Sequence, residues 1–134
     1  MQSHRLFKRS IVLILGAALI ASLGVALFRL LTKQDQLVLG AALPLTGQYA
    51  QYGTVPRNAI DLAIQQRREA GYPYNVTVQY EDTQLRPNLA LTAIRKLIDV
   101  HHVPVVFGAA GSNETEVIGP IAQKSQVVLI SPSS

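Results

Sequence analysis

The fold is decided by residues 103–134, which read VPVVFGAAGSNETEVIGPIAQKSQVVLISPSS. Two short apolar runs, 103–107 and 127–130, are separated by a small-residue turn and a polar segment that can open a helix. Short β-branched runs on either side of a helix are typical of a βαβ unit in a parallel sheet. Ligands of open parallel sheets bind outside the carboxyl ends of the strands. Since both runs end in glycine- or hydroxyl-rich turns, the stretch predicts a small-molecule site at that edge.

The sequence before this stretch continues the alternation of strands and helices. Residues 37–43 form a continuous apolar run, which predicts the first buried strand. Val76, Val78 and Tyr80 alternate with polar residues, and this pattern predicts a second strand near the sheet edge. The order β-α-β-α-β-α-β over residues 37–134 predicts an α/β fold with a doubly wound parallel sheet and right-handed crossovers.

Two helices are predicted between these strands from apolar residues that repeat at helical spacing. Pro56 suits the first turn of the first helix, and Gly71 suits its end. The apolar face of the first helix is predicted to hold Ala59, Ile60, Ala63 and Ile64, and that of the second Ala90, Ala93, Ile94, Leu97 and Ile98.

The turn GAAGSNETE opens a third helix and has two interpretations. Ser112 or Asn113 can cap the helix, and Asn113-x-x-Glu116 fits a capping box. Free amides at such a terminus, together with the helix dipole, favour an anion such as a carboxylate. In the alternative interpretation the turn is a simple cap, and Glu114 and Glu116 supply the negative charge. Gly119 and Pro120 predict a kink or a restart further along.

Other polar and aromatic residues at the same edge also have two interpretations. Tyr49 and Tyr52, in the loop after the first strand, can stack over a ligand or pack the loop. Asp82 can contact a ligand or cap the loop that comes after the second strand. Ser131, Ser133 and Ser134 fit turn chemistry as well as ligand contacts, and His101 and His102 lie at the opposite edge.

Composition excludes several classes of function. Of the 12 basic residues, Arg5, Lys8, Arg9 and Arg29 lie in the first 31 positions, which leaves 8 to balance all 8 acids. A neutral body disfavours a nucleic-acid surface. The absence of cysteine excludes disulfides, thiol catalysis and lipid attachment at a cysteine. Since no catalytic or nucleotide-binding motif is found, we expect neither an enzyme nor a cofactor.

Residues 1–31 predict a membrane or export segment. Basic residues precede an uncharged apolar run, 11–28, which extends to residue 31 if Arg29 snorkels. The run fits an uncleaved signal anchor or a cleaved signal peptide, and either one exports the rest of the chain. We therefore expect a leader at 1–31, a linker at 32–36 and a domain at 37–134. The domain is then periplasmic or extracytoplasmic, anchored to the cytoplasmic membrane by residues 11–31.

Four motifs in sequence carry a resemblance to a known family. They are LPLTGQYAQYG from residue 43, YEDTQLRPNLALTAIRKLI from residue 80, VVFGAAGS from residue 105 and VVLISPSS from residue 127. Together with the helix that ends at Gly71, they resemble the first lobe of the type I periplasmic binding proteins, in the branched-chain amino-acid group. The resemblance covers residues 37–134 and implies two α/β lobes that close on a small ligand.

The resemblance also implies roles for individual residues. Tyr52 matches an aromatic that contacts the ligand, and Ser112 matches the serine that holds the amino acid's α-carboxylate. Ala110 and Gly111 match the backbone and small contacts just before it. Ser133 matches a position whose backbone meets the ligand's ammonium group.

The implied function is that of an extracytoplasmic solute-binding protein, which passes an amino-acid-like ligand to an ABC transporter permease. The alternative is the ligand-sensing lobe of a membrane-anchored receptor with a signalling module, and an exported enzyme on a similar sheet is the third. The family's hinge, second lobe and acidic partner for the ammonium group have no counterpart in these residues. We therefore expect the 134-residue chain alone to bind amino acids weakly or not at all.

Overall fold

The computed structural model describes residues 36–133, together with Ser22 and Gly24. Its elements are β1 (Gln36–Leu43), α1 (Gln51–Glu69), β2 (Asn75–Asp82), α2 (Pro87–Asp99), β3 (Val105–Phe107), α3 (Ser112–Lys124) and β4 (Val128–Ile130). The strands of this part of the chain form one parallel sheet in the order β2-β1-β3-β4. The predicted element order, the α/β class and the doubly wound parallel sheet are confirmed.

The direction of the connections places helices on both faces of the sheet. From β1, the chain first adds β2 on one side of β1 in the sheet. It then crosses back past β1 and adds β3 and β4 on the other side. Because crossovers between parallel strands are right-handed, α1 covers one face while α2 and α3 cover the other. In agreement, α1 contacts β1 and β2, whereas α2 packs against α3. All strands therefore point their carboxyl ends to one edge.

The core lies between the sheet and helices α2 and α3, which cover one face of the sheet (the α2–α3 face). The predicted apolar face of α2 is confirmed, since Ala90, Ala93, Ile94 and Leu97 are buried and Ile98 packs against them. Strand β1 approaches this face closely at Gly40. A Cβ atom there would lie 3.1 Å from side-chain carbons of Leu97, Val103 and Val106.

Helix α1 differs from the sequence prediction at its start. It begins at Gln51, so Pro56 lies inside the helix and not in its first turn. Tyr52, predicted in a loop, therefore belongs to the first helical turn. The cause is tertiary packing at Gly53, where a Cβ atom would lie 2.2 Å from the Pro44 carbonyl oxygen. The absence of a side chain lets the helix start against the loop backbone.

The face that α1 turns to the sheet is also narrower than predicted. Ile60 and Ile64 are half-buried, but Ala59 and Ala63 are exposed.

Polar contacts also hold α1 against β2. The Tyr80 hydroxyl donates to Asp61 Oδ1 at 2.7 Å, and the Arg57 guanidinium lies 4.8 Å from the Tyr80 ring centroid. Burial, followed by the hydrogen bond to Asp61 and its charge, raises the pKa of Tyr80. The phenol therefore stays protonated in its contact with the helix.

Helix α3 runs without interruption from Ser112 to Lys124, with Pro120 inside it. The predicted restart at Gly119 and Pro120 is wrong. A proline removes one backbone donor, and packing of Ile118 and Ala122 into the core holds the helix on either side of it.

The predicted leader and linker fall almost entirely outside the described residues. Only Ser22, Gly24 and Gln36 of residues 1–36 are described, and Gln36 is the first residue of β1. Within the part of the chain that the structure covers, no helix is both long enough and apolar enough to cross a membrane.

Candidate functional site

The candidate site is the carboxyl edge of the sheet, where each strand runs into a loop or turn. These segments are residues 44–50 after β1, 83–86 after β2, 108–111 after β3 and 131–133 after β4. The predicted site residues Ala110, Gly111 and Ser112 lie in the third segment and at the start of α3. Ser133 lies in the fourth segment, and Tyr52 lies just beyond the first. The topology therefore brings all the predicted site residues to one edge.

The cap of α3 is formed by other residues than the sequence predicted. The N-cap residue is Gly111, and Glu114 reaches back to it: the Gly111 N–H donates to Glu114 Oε2 at 3.2 Å. The Glu114 N–H is satisfied by the Gly111 carbonyl at 3.0 Å and by Asn113 Oδ1 at 3.0 Å. The predicted pair of Asn113 and Glu116 is wrong, because the helix begins earlier than that pattern requires.

This cap leaves donors free at the start of α3. Among the described residues, no partner accepts a hydrogen bond from the backbone N–H of Ser112 or of Asn113. The Ser112 hydroxyl likewise has no hydrogen-bond partner in the described part of the chain. Two amides, a hydroxyl and the positive end of the helix dipole therefore lie together, which is an arrangement that suits an anion.

The turn after β4 is tied to the turn after β3 by two serine side chains. The Ser131 hydroxyl donates to the Ala109 carbonyl at 2.8 Å, and the Ser133 hydroxyl donates to the Ala110 carbonyl at 2.6 Å. The Ser133 N–H in turn donates to Ser131 Oγ at 3.3 Å. These bonds are the turn chemistry that the sequence left open. They also fix Ala110 against Ser133, two of the predicted site residues.

Tyr52 and Ser133 line one cavity. The cavity has a volume of about 370 Å³ and is lined by Gln51, Tyr52, Val55, Pro56, Pro132 and Ser133. The Tyr52 side chain is 56% exposed, and its ring centroid lies 6.4 Å from that of Tyr49. The phenol therefore has room to turn onto a ligand without a change in the core.

The cavity continues into an apolar groove along α1. The groove, of about 310 Å³, shares Val55, Pro56 and Pro132 with the cavity. Its remaining lining comes from Leu43, Ala59, Ile60, Phe107 and Ile130. The side chain of Ile130 is 47% exposed, so β4 presents apolar surface on this side.

Asp82 joins the loops after β1 and β2. Its Oδ1 accepts from the Leu45 N–H at 2.8 Å, the Gln84 N–H at 3.1 Å and the Thr46 N–H at 3.3 Å, and its Oδ2 accepts from the Thr46 hydroxyl. Burial alone would raise the pKa of Asp82, but the hydrogen bonds from Thr46, Leu45 and Gln84 outweigh it and lower the pKa. The Asp82 carboxylate therefore accepts hydrogen bonds from the protein's own loops. This agrees with the prediction that Asp82 caps a loop.

Replacing Asp82 by asparagine is expected to lower the free energy of unfolding at pH 7 by about 1–3 kcal/mol, since charge-assisted hydrogen bonds are lost. Because the pKa is lowered on folding, the contribution of Asp82 is present above about pH 4 and is lost as pH falls through the folded pKa. Urea unfolding from pH 7 to pH 2 checks this. The wild type and Asp82→Asn should converge at low pH. The control Asp99→Asn, at the end of α2, should not lower the stability at pH 7, since a negative charge at a helix C-terminus is unfavourable. Equal stabilities of Asp82→Asn and wild type at pH 7 contradict the prediction.

Glu114 serves the cap of α3, as the simple-cap interpretation predicted, but its burial was not predicted. The sequence pattern interprets it as one of two charges at a simple cap, but it is fully buried at the start of α3. The spacing Gly111-x-x-Glu114 is the signal that could have shown it, because a glutamate three residues after the N-cap can accept the N-cap N–H even where glycine has no side chain to complete a capping box. Among residues 36–133, no group of three or more histidine or acidic side chains is placed to hold a metal ion.

Comparison with known proteins places this arrangement in a family. The family model of periplasmic binding proteins matches residues 36–134. The branched-chain amino acid transporter substrate binding protein LivJ from Streptococcus pneumoniae, solved in complex with isoleucine, has 28% identity and a TM-score of 0.70 over 74% of this chain and 29% of its own. An ABC transporter substrate-binding protein from Sphaerobacter thermophilus has 25% identity and a TM-score of 0.69 over 75% of this chain and 27% of its own.

A similar sequence is an uncharacterised protein of Methanocaldococcus jannaschii, 28% identical over 107 residues, which are 77% of this chain and 25% of that protein. The chain thus spans between 25% and 29% of the length of these three relatives. The family match covers every described strand and helix from β1 to β4. The resemblance seen in the sequence motifs is confirmed, and the chain belongs to the periplasmic binding protein family.

Proposed function

We propose that this chain supplies ligand-binding surface to an extracytoplasmic solute-binding protein that takes up a small amino-acid-like solute through an ABC transporter. The observation that carries the proposal is the set of free donors at the start of α3, which lies at the same edge as the Tyr52–Ser133 cavity. Its relative LivJ was solved with isoleucine, a ligand that has a carboxylate, an ammonium group and an apolar side chain.

The carboxylate of such a ligand fits the start of α3. The backbone N–H groups of Ser112 and Asn113 and the Ser112 hydroxyl are the donors, and the helix dipole adds a favourable field. Gly111 and Ala110 carry little or no side chain, so a ligand can approach the backbone between these donors and Ser133. The bonds from Ser131 and Ser133 hold this backbone in place before a ligand arrives.

The remainder of the ligand fits the cavity beside Tyr52. The Tyr52 ring offers an exposed aromatic face, and Val55, Pro56 and Pro132 provide apolar walls. An apolar side chain placed there leaves water, which contributes about 25 cal/mol for each Å² of apolar area buried. Tyr52 and Ser112 are therefore assigned to the two ends of the ligand.

The partners are implied by the same proposal. A solute-binding protein delivers its ligand to a membrane permease, and the apolar run at residues 11–28 is assigned as the membrane anchor that keeps this chain at the outer face of the cytoplasmic membrane. Protease accessibility of the domain in spheroplasts, compared with its protection in intact cells, tests this location. Cleavage only after the membrane is disrupted would contradict it.

Replacing Ser112 by alanine is expected to weaken isoleucine binding by about tenfold, because one hydrogen bond to a charged group is lost. The measurement is an NMR titration of the isotope-labelled 134-residue chain in detergent micelles with isoleucine up to millimolar concentration. The control is Ser125→Ala, which changes an exposed serine at the other end of α3. Equal affinities of Ser112→Ala and wild type, or shifts confined to residues remote from α3 and Tyr52, would contradict the proposed site.

A further inference from the structure

Glu114 places a buried carboxylate at the helix terminus that is proposed to hold the ligand's carboxylate. Its relative exposure is 0%, and its Oε2 accepts the Gly111 N–H at 3.2 Å. Its Oε1 is also buried and has no hydrogen-bond partner among the described residues. No lysine, arginine or histidine of residues 36–133 forms an ion pair with it. The carboxylate is therefore offset mainly by the start of the helix itself.

The free donors and the buried carboxylate share one helical turn. Ser112 and Asn113 immediately precede Glu114, and all three lie in the first turn of α3. The carboxylate sits close behind the N-cap: a Cβ atom built on Gly111 would lie 3.5 Å from Glu114 Oε2 and 3.1 Å from Leu85 Cδ1. Because the Glu114 side chain is fully buried, its carboxylate is poorly screened by water and acts on a ligand bound at the Ser112 and Asn113 amides.

We propose that Glu114 makes this terminus selective for zwitterionic α-amino acids over simple carboxylate anions, an inference that rests on the proposed function. A monoanionic carboxylate at the α3 terminus meets the like charge of Glu114 without compensation. An α-amino acid carries an ammonium group beside its carboxylate, so its net charge is zero and the attraction of Glu114 for the ammonium offsets the repulsion. Glu114 thus determines specificity through charge, without direct contact with the carboxylate.

The test compares two ligands that differ only in the ammonium group, isoleucine and 3-methylpentanoate. Their dissociation constants are measured by NMR titration on the 134-residue chain in micelles, for the wild type, Glu114→Gln and Glu116→Gln. Glu114→Gln keeps the side-chain shape and an oxygen that accepts the Gly111 N–H, but removes the charge. Glu116→Gln removes an exposed charge from the same helix and is the matched control.

We expect the wild type to prefer isoleucine, and Glu114→Gln to reduce that preference by about tenfold through tighter binding of 3-methylpentanoate. Glu116→Gln should change the ratio less than about twofold, since an exposed charge is screened by water and salt. Glu114→Ser, which removes the same charge and leaves an acceptor hydroxyl, is the second variant if Glu114→Gln does not fold.

The possible failures are distinguishable. If the wild type binds both ligands equally, or if removal of the Glu114 charge leaves the ratio unchanged, the inference about Glu114 is overturned and the proposed carboxylate site stands. If neither ligand shifts the resonances of α3, the proposed function fails, and the inference fails with it.

Discussion

Replacing Gly108 by alanine is expected to lower the free energy of unfolding by about 3–5 kcal/mol, because the added methyl group meets both an unfavourable backbone conformation and a close backbone contact. Gly108 has a φ of +130°, a conformation that residues with a side chain rarely adopt. A Cβ atom there would also lie 2.2 Å from the Ala42 carbonyl oxygen and 3.0 Å from its carbonyl carbon. Both atoms belong to the backbone of β1, which cannot move aside without breaking the sheet.

Urea unfolding followed by far-UV circular dichroism measures this loss. The matched control is Gly119→Ala, because a Cβ atom on Gly119 would meet nothing within 4 Å and the residue lies inside α3. That change should raise stability by about 0.5–1 kcal/mol, since alanine favours the helix. If Gly108→Ala unfolds within about 1 kcal/mol of the wild type, the close approach of this turn to β1 is wrong.

The same substitution has a consequence for ligand binding. Gly108 opens the turn that carries Ala110, Gly111 and Ser112, and its N–H donates to the Ile130 carbonyl at 2.9 Å. A displaced turn separates the start of α3 from Ser133, so the bond from the Ser133 hydroxyl to the Ala110 carbonyl would be lost. Stability and site geometry are therefore coupled at this glycine.

Replacing Leu97 by alanine is expected to lower the free energy of unfolding by about 2–5 kcal/mol. Leu97 has a relative exposure of 0% and belongs to the cluster that α2 forms with β3 and α3. It also packs against β1, because the Cβ position of Gly40 lies 3.1 Å from Leu97 Cδ2. The substitution removes the branched end of the Leu97 side chain and leaves a cavity. The neighbouring backbone of β1 cannot move to fill this cavity, because β1 is paired with both β2 and β3.

The control for Leu97 is Leu62→Ala in α1, since that leucine is 54% exposed. The control should change the unfolding free energy by about 0.5 kcal/mol or less, because surface substitutions have small effects. Both variants are compared in the same urea series, with slopes checked for a common two-state transition. Equal losses for Leu97→Ala and Leu62→Ala would mean that the core does not lie on the α2–α3 face.

The proposals on ligand and selectivity share one structural premise, the register of the α3 cap. If Gly111 is the N-cap, the donors of Ser112 and Asn113 are free and Glu114 is buried. If the cap lay two residues later, at Asn113 as the sequence pattern with Glu116 indicates, the Ser112 amide would precede the helix and gain little from its dipole. Hydrogen exchange at Gly111 and Asn113 distinguishes the two registers, since only the amide that is bonded to a glutamate should be protected.

Sequence periodicity alone predicts the strands of the sheet and the helix that is buried along one face. Residues 37–43 are apolar and β1 lies inside the sheet, whereas Val76, Val78 and Tyr80 alternate with polar residues and β2 lies at the sheet edge. The face of α2 is predicted residue by residue, because a helix buried on one side repeats its apolar positions every three or four residues. The alternation of strands and helices then predicts the parallel topology, and with it the edge where Tyr52, Ser112 and Ser133 lie.

Tertiary contacts decided what local pattern could not. Pro56 marks a helix start in a sequence, but Gly53 allows α1 to begin earlier against the Pro44 carbonyl. Because position 111 is glycine and not serine, the sequence pattern does not mark it as the N-cap, and it does not reveal the burial of Glu114. The sequence by itself determined the fold and the edge that carries the site, because burial imposes a period on side chains. Only the tertiary structure decided which amides are free and which carboxylate is buried, because those depend on backbone approaches between segments that are distant in the chain.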